Sequence, residues 1–250
     1  MQIQKRIRNY WMQEAESYSK RIQNQIKSPK KQAWASLIEE NRPNGDQLKV
    51  LDIGTGPGFF AMLLSGMGHE VTAIDCTERM IEEAEANTAA AGFEVDFHVM
   101  DCHQLAFSDN HFDLIICRNL TWTLRDPKDA YAEWYRVLKS QGRLLIFDAN
   151  WNLRLFDQRL LEKYIEDQEK AKELGIIDPH SEANMKENDQ IARELFLSKH
   201  LRPQWDTSAL LDIGFKKLVI DADITNKVWD EDDKILFRST PMFMIVAEKD

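Results

Sequence analysis

The chain has 250 residues, 43% of them hydrophobic, and a formal net charge of −10. That length and apolar content suffice for one sizeable core and exclude a disordered chain. The negative charge argues against a general nucleic-acid binder, and no apolar run reaches the ~18 residues of a membrane span.

The charge is uneven. Residues 1–31 hold eight Lys/Arg against two acids, or +6, so the remainder carries −16. Such a basic stretch is either a solvated helix face or a steering surface for an anionic substrate. Met1 to Arg6 lacks the apolar block of a signal peptide. Cys76, Cys102 and Cys117 are widely spaced and contain no CxxC, so they are expected to be reduced thiols of a cytoplasmic protein, not disulfides or zinc ligands.

Ile3, Ile7, Trp11, Ala15, Tyr18, Ile22 and Ile26 recur at steps of three and four, which predicts one long amphipathic helix. Ser28-Pro29 interrupts it, and Pro29 suits the start of a second helix with the stripe Ala33, Trp34, Leu37 and Ile38. Leu48 to Ile53 then reads as a strand buried on both faces. It runs into a turn with glycine at alternate positions, Gly54, Gly56 and Gly58, and into a helix carrying Phe59, Met62, Leu63 and Leu64. Strand, glycine turn and helix is the layout of a nucleotide-type site, with helix N–H groups aimed at the ligand. The spacing is not that of a dinucleotide fingerprint: Phe59 stands at its third glycine, and Asp52 ends the strand where pyrophosphate binders avoid negative charge. An acid there suits a ligand with a cationic amino-acid end.

Glu70 to Asp75 is a second buried strand. Asp75 ends it about 20 residues beyond the first glycine, where a carboxylate can accept from both hydroxyls of a ribose. Thr77 to Ala91 reads as a helix closed by Gly92. Val95 to Val99 is a third strand leading to Asp101-Cys102, and Leu114 to Cys117 is a fourth. His98, His103 and His111 lack ligand spacing and read as surface or loop residues, with no metal expected. Asp126-Pro127 starts a helix whose buried face is Ala130, Tyr131, Trp134, Val137 and Leu138. A fifth strand comes next, through Ile146. Residues 151–205 hold two helical stripes, with a loop expected from Gly175 to Asn188. Asp206-Thr207 is expected to cap a helix ending at Gly214, before strands over Lys217–Ile220 and Phe243–Ala247. The acids from Asp221 to Asp233 lack calcium-loop spacing and read as a solvated loop.

Three stretches carry a family resemblance. Asp52-x-Gly54-x-Gly56-x-Gly58 resembles motif I of class I S-adenosylmethionine-dependent methyltransferases. Leu105-Ala106-Phe107-Ser108-Asp109 through Phe112-Asp113, and Arg136-Val137-Leu138-Lys139 through Gly142, resemble segments of the ubiquinone- and menaquinone-pathway-like members. The resemblance implies an α/β, Rossmann-like doubly wound sheet of seven strands in the order 3-2-1-4-5-7-6, the last antiparallel. It implies an S-adenosylmethionine core over 46–150 and 206–250 and an N-terminal helical cap over 1–45. The resemblance does not cover 151–205; as an insertion after the fifth strand, at the sheet's carboxyl edge, these residues are expected to form a helical lid. For the cofactor the resemblance implies Asp52, Gly54, Thr55 and Gly56 at the turn, Asp75 and Cys76 at the ribose, and Met80, Asp101 and Cys102 at the adenine. Tyr18 and Asn119 complete that set.

Asn119-x-x-Trp122 has the spacing of the polar-Pro-Pro-aromatic motif of amino-group methyltransferases without its prolines. Asn119 and Asp148 are therefore the candidates for orienting the acceptor or taking its proton, and Tyr18, Trp122, Trp151 and Phe156 for its walls. The expected reaction is in-line methyl transfer to a small molecule, with no nucleic-acid partner. A nicotinamide-dependent oxidoreductase, a non-catalytic S-adenosylmethionine-binding module and an RNA or protein methyltransferase are the alternatives.

Overall fold

The computed structural model describes residues 2–176 and 182–250. Its sheet is built from β1 (Lys49–Ile53), β2 (Glu70–Asp75), β3 (Asp96–Val99), β4 (Phe112–Arg118), β5 (Leu138–Ala149), β6 (Lys217–Asp221) and β7 (Met242–Glu248). The strands lie in the order β3-β2-β1-β4-β5-β7-β6. Pairings from β3 through β5 are parallel, and β7 runs antiparallel between β5 and β6. Order and sense are those the family resemblance implied.

Burial explains the layering. Val50, Leu51 and Ile53 of β1 are completely buried, which requires cover on both faces of the sheet. Val50 packs into one core with Trp34, Phe60 and Leu63, whereas Leu51 and Ile53 enter a second core with Tyr131 and Trp134. The helices are α1 (Gln2–Ile26), α2 (Lys30–Asn41), α3 (Phe59–Gly66), α4 (Glu78–Ala90), α5 (Pro127–Val137), α6 (Gln158–Glu173), α7 (Glu182–Glu194), α8 (Gln204–Ile213), α9 (Thr225–Val228) and α10 (Glu231–Leu236). Residues of α2 and α3 build the first core, and those of α5 and α8 the second.

The loops leaving β1 through β5 gather at one edge of the sheet, where open α/β folds take ligands. α1 crosses that edge and packs on α4 and α7. A third cluster joins Ile7 and Tyr10 of α1, Trp122 beyond β4, and Ile191 and Ala192 of α7. Among the described residues no helix is long and apolar enough to cross a membrane.

Three local expectations are corrected. The loop expected from Gly175 to Asn188 gives way to helix from Glu182 onward, while 177–181 lie outside the described residues. Asp206 does not cap α8, which opens behind Pro203; it lies in the first turn, fully buried, and bonds to Arg202. The acidic connection is not a plain loop but holds α9 and α10. Asp230 caps α10 by accepting from the Asp233 N–H at 2.9 Å, and three acids occupy the first turn, where the helix dipole favours them.

Candidate functional site

A cavity of about 590 Å³ opens at the gathered loop ends. Its first wall is the glycine turn. Gly54 and Gly56 have φ of 67° and 52°, a region that side chains disfavour. A Cβ on Gly54 would stand 2.7 Å from a Leu120 methyl, and one on Gly56 would stand 3.2 Å from the Tyr18 ring. The turn is thus a close-fitted cradle between α1 and the loop after β4.

Asp75 ties this cradle to the end of β2. One carboxylate oxygen accepts from the Gly56 N–H at 3.1 Å and the other from the Thr77 N–H at 2.9 Å. Each oxygen keeps acceptor capacity, as needed to grip two adjacent hydroxyls. Burial, only partly offset by those bonds, pushes the carboxyl up to about 6. Met80 and Cys76 line the wall beside it.

Asp101 and Cys102 also line the cavity. Burial works against the Asp101 charge, but bonds from His103 (Nδ1, 2.8 Å) and Arg125 (2.6 Å) outweigh it and hold the carboxyl well below its usual range. His103 is therefore no free surface residue: its side chain is 6% exposed and packed on Asp101. Asp101, Cys102 and His103 bring one possible metal-ligand atom each within 4.8 Å of one another. Asp101 and His103 are already bonded together, and burial keeps the Cys102 thiol protonated, a poor state for a ligand. Burial likewise lifts Cys76, to about 11, and Cys117, so none of the three thiols is a ready nucleophile.

Two residues expected at the cofactor do not reach the cavity. Asp52 is 2% exposed and accepts from the Thr55 hydroxyl at 2.6 Å. The pair braces the glycine turn from behind, and burial pushes the Asp52 carboxyl up to about 7.

The far half of the cavity begins at Asn119. This residue has φ 55°, and its side-chain Oδ1 is buried without a hydrogen-bond partner. An orphaned acceptor in a cavity wall fits a ligand that brings a donor. Trp122 and Trp151 line the same region, as does Tyr18. Phe156 does not; it is 43% exposed, with the Lys199 ammonium 5.6 Å above its ring.

Asp148 is also misplaced for the role expected of it. It is completely buried and fully engaged. Oδ1 accepts from the Ala149 N–H and from Trp151 Nε1 at 2.8 Å. Oδ2 accepts from the Trp122 N–H, the Thr121 hydroxyl and Arg202 at 3.0 Å. Arg202 also holds Asp206, which accepts from the Tyr131 hydroxyl at 2.5 Å. With every lone pair used, Asp148 cannot serve as a base; it fixes both tryptophans of the wall.

Other wall residues were not anticipated. Arg154 pairs with Asp189 at 2.6 Å. Lys30 pairs with Asp230 at 2.7 Å and also with Asp233. Trp151, Trp229 and Phe237 pack together with centroids 5.6–6.3 Å apart. Arg118 also lines the cavity, with its guanidinium over the rings of Trp34, Phe59 and Phe60. The only sequence signal for it is a cation placed directly after the buried run Leu114 to Cys117.

Comparison with known proteins agrees with this geometry. Residues 51–146 match the family model described as a methyltransferase domain. The uncharacterized methyltransferase YcgJ of Bacillus subtilis is 38% identical over 101 residues, 40% of this chain and 40% of its own. A ubiquinone/menaquinone biosynthesis C-methyltransferase of Desulfotalea psychrophila is 34% identical over 120 residues, 47% of this chain and 48% of its own. The chain therefore spans less than half the length of these two relatives. Among solved structures, Haemonchus contortus phosphoethanolamine N-methyltransferase 2, in complex with phosphomonomethylethanolamine and S-adenosylhomocysteine, superposes with a TM-score of 0.60 at 17% identity, covering 87% of this chain and 52% of that one. The [4+2]-cyclase SpnF superposes with a TM-score of 0.59 at 15% identity, covering 86% and 79%. The second match shows that this fold also carries other chemistry.

Proposed function

We propose that this chain, whose residues 51–146 match a methyltransferase domain, transfers a methyl group from S-adenosylmethionine to a small organic acceptor. The observation that carries this reading is one cavity shared by two unlike halves: a glycine cradle with the Asp75 carboxylate beside it, and an aromatic wall with an unsatisfied polar atom. The names of the relatives support a small acceptor, since one acts in ubiquinone/menaquinone biosynthesis and a structural neighbour holds phosphomonomethylethanolamine.

S-adenosylmethionine supplies a methyl group made electrophilic by its sulfonium. The protein's part is binding, orientation and exclusion of water. Asp75 would grip the ribose hydroxyls, with Met80 against the flat apolar face of the nucleoside. Arg125 and His103 keep Asp101 ionised at the other end of the same half. Asn119 Oδ1 would accept from the acceptor and so aim its lone pair. Trp122 and Trp151, fixed by Asp148, would keep water from the reacting centre. No protein base is needed for a thiolate or a free amine. In this reading 46–150 and 206–250 form the cofactor core, 1–45 the cap, and 151–205 the lid that chooses the acceptor.

The test is incubation with methyl-labelled S-adenosylmethionine and a metabolite extract, read by mass spectrometry. A labelled small molecule that disappears with Asp75→Ala supports the reading. Label found only in protein or RNA overturns it.

A further inference from the structure

β6 (Lys217–Asp221) forms one edge of the sheet. β7 runs along one side of it, and among the described residues no other backbone group bonds to its backbone. Every second residue of such an edge strand turns its N–H and C=O away from the sheet. The side chains are bare as well. Val219 is 51% exposed and Ile220 42%, and Leu211 of α8, shortly before the strand, is exposed too. Of the three apolar residues in β6, Leu218 alone packs against a core.

Edge strands are ordinarily protected by a charge or a proline along their length. β3, at the opposite edge, has Asp96 and His98, in contact at 3.0 Å. β6 has no such residue in its middle: its charges stand only at its ends, Lys217 and Asp221, around Leu218-Val219-Ile220.

That order of charges decides what fits the edge. A second β6 laid antiparallel, with Val219 opposite Val219, sets Lys217 against Asp221 at both ends. Residues opposite one another share a face of the sheet. One face then carries two Lys–Asp pairs about the Val219 pair, and the other carries two Leu218–Ile220 pairs. A parallel partner in register would set lysine on lysine and acid on acid. Sliding the antiparallel partner by two residues would set Val219 against Lys217 or Asp221. Within the chain Lys217 already meets Glu248 at 3.1 Å, and Asp221 meets Lys227 at 2.8 Å. The two lysines are 62% and 50% exposed, so these pairs are weak and leave both charges available to a neighbour.

We propose that β6 is a contact between two copies of this chain, paired antiparallel about Val219 so that their sheets join. The two-fold axis uses up both edges, so assembly stops at the dimer. Five residues a side cover less than a standard interface, so the dimer is weak and dissociates on dilution. This is independent of the function proposed above.

The experiment is sedimentation velocity on the full chain over a ~100-fold range of micromolar concentration. The wild type should pass from monomer to dimer across it. Asp221→Lys sets lysine against lysine at both ends, and Lys217→Asp sets acid against acid; each should weaken the dimer by roughly tenfold or more. An equimolar mixture of these two variants should dimerise again, because the lysines of one copy then face the acids of the other. Val219→Lys, which puts like charges on the axis, should stay monomeric. An unchanged melting temperature shows that a variant is folded, and if either charge variant is not, Val219→Lys carries the test. A wild type that stays monomeric over the whole range overturns the proposal. So does a dimer that survives the variants, or a mixture of folded charge variants that stays monomeric.

Discussion

Asp75 and Asp148 are acids within the last two positions of their strands, and their surroundings give them different work. Asp75 keeps an open side toward the cavity, so Asp75→Ala should cost roughly 1.5–3 kcal/mol of S-adenosylhomocysteine affinity, as for hydrogen bonds to a charged acceptor. Its carboxyl sits raised at about 6 by burial, and bound hydroxyls favour the ionised form. Acidification through about pH 6 should therefore weaken binding, by at most about tenfold per pH unit, with a plateau above about pH 7. Calorimetry across that range checks the sign; affinity that rises on acidification would contradict it. Asp148 is closed on every side. Asp148→Asn should cost about 3 kcal/mol of stability, the low end for a broken buried pair because Asp206 still faces Arg202. A catalytic base would behave otherwise, losing turnover at an unchanged melting temperature. Asp75 was legible because its place depends on a short spacing from Gly54. Asp148 was misread because its main partner, Arg202, lies 54 residues further along.

Among the elements, the contact between α1 and α7 sets how the cavity is covered. Arg6 bridges to Glu187 and Glu194, but these side chains are 31%, 40% and 56% exposed, so the pairs add at most about 1 kcal/mol each. The apolar cluster of Ile7, Tyr10, Trp122 and Ile191 carries the docking. Trp122 is 8% exposed and shared between that cluster and the cavity. Trp122→Ala should therefore cost ~3–5 kcal/mol in addition to any effect on turnover. Trp151 is only partly buried, so Trp151→Ala separates the roles more cleanly. It should abolish or redirect methyl transfer while S-adenosylhomocysteine affinity stays unchanged. If turnover per folded molecule is unaltered and only the melting temperature falls, Trp151 is core and the lid reading is wrong. α1 was legible from its stripe. The start of α7 was not, because from Asn184 to Asn188 it brings one apolar side chain to the cavity, Met185, and it docks partly by charge. α10 was hidden by its acids, although Asp230 with Asp233 three residues later is an N-terminal capping pattern.

At the scale of the molecule, alternating strands and helices were enough to imply an α/β layered domain, because each parallel strand needs apolar residues on both faces and a helix to cross over, whereas the order of the seven strands came from the family resemblance. The glycine turn and Asp75 were legible for the same reason: they belong to one local unit of the chain. The far half of the cavity was only partly so. It draws Lys30 from α2, Arg118 from β4, Arg154 and Trp151 from beyond β5, and Trp229 and Phe237 from either side of α10. No sequence spacing connects such distant segments; packing alone assembles them. The central claim is that this composite cavity takes S-adenosylmethionine and not a dinucleotide. The most direct test is to titrate the wild-type chain in the calorimeter with S-adenosylhomocysteine and, separately, with NAD. The account predicts binding of S-adenosylhomocysteine in the micromolar range and no heat with NAD. Tight NAD binding, or no binding of S-adenosylhomocysteine, would contradict it.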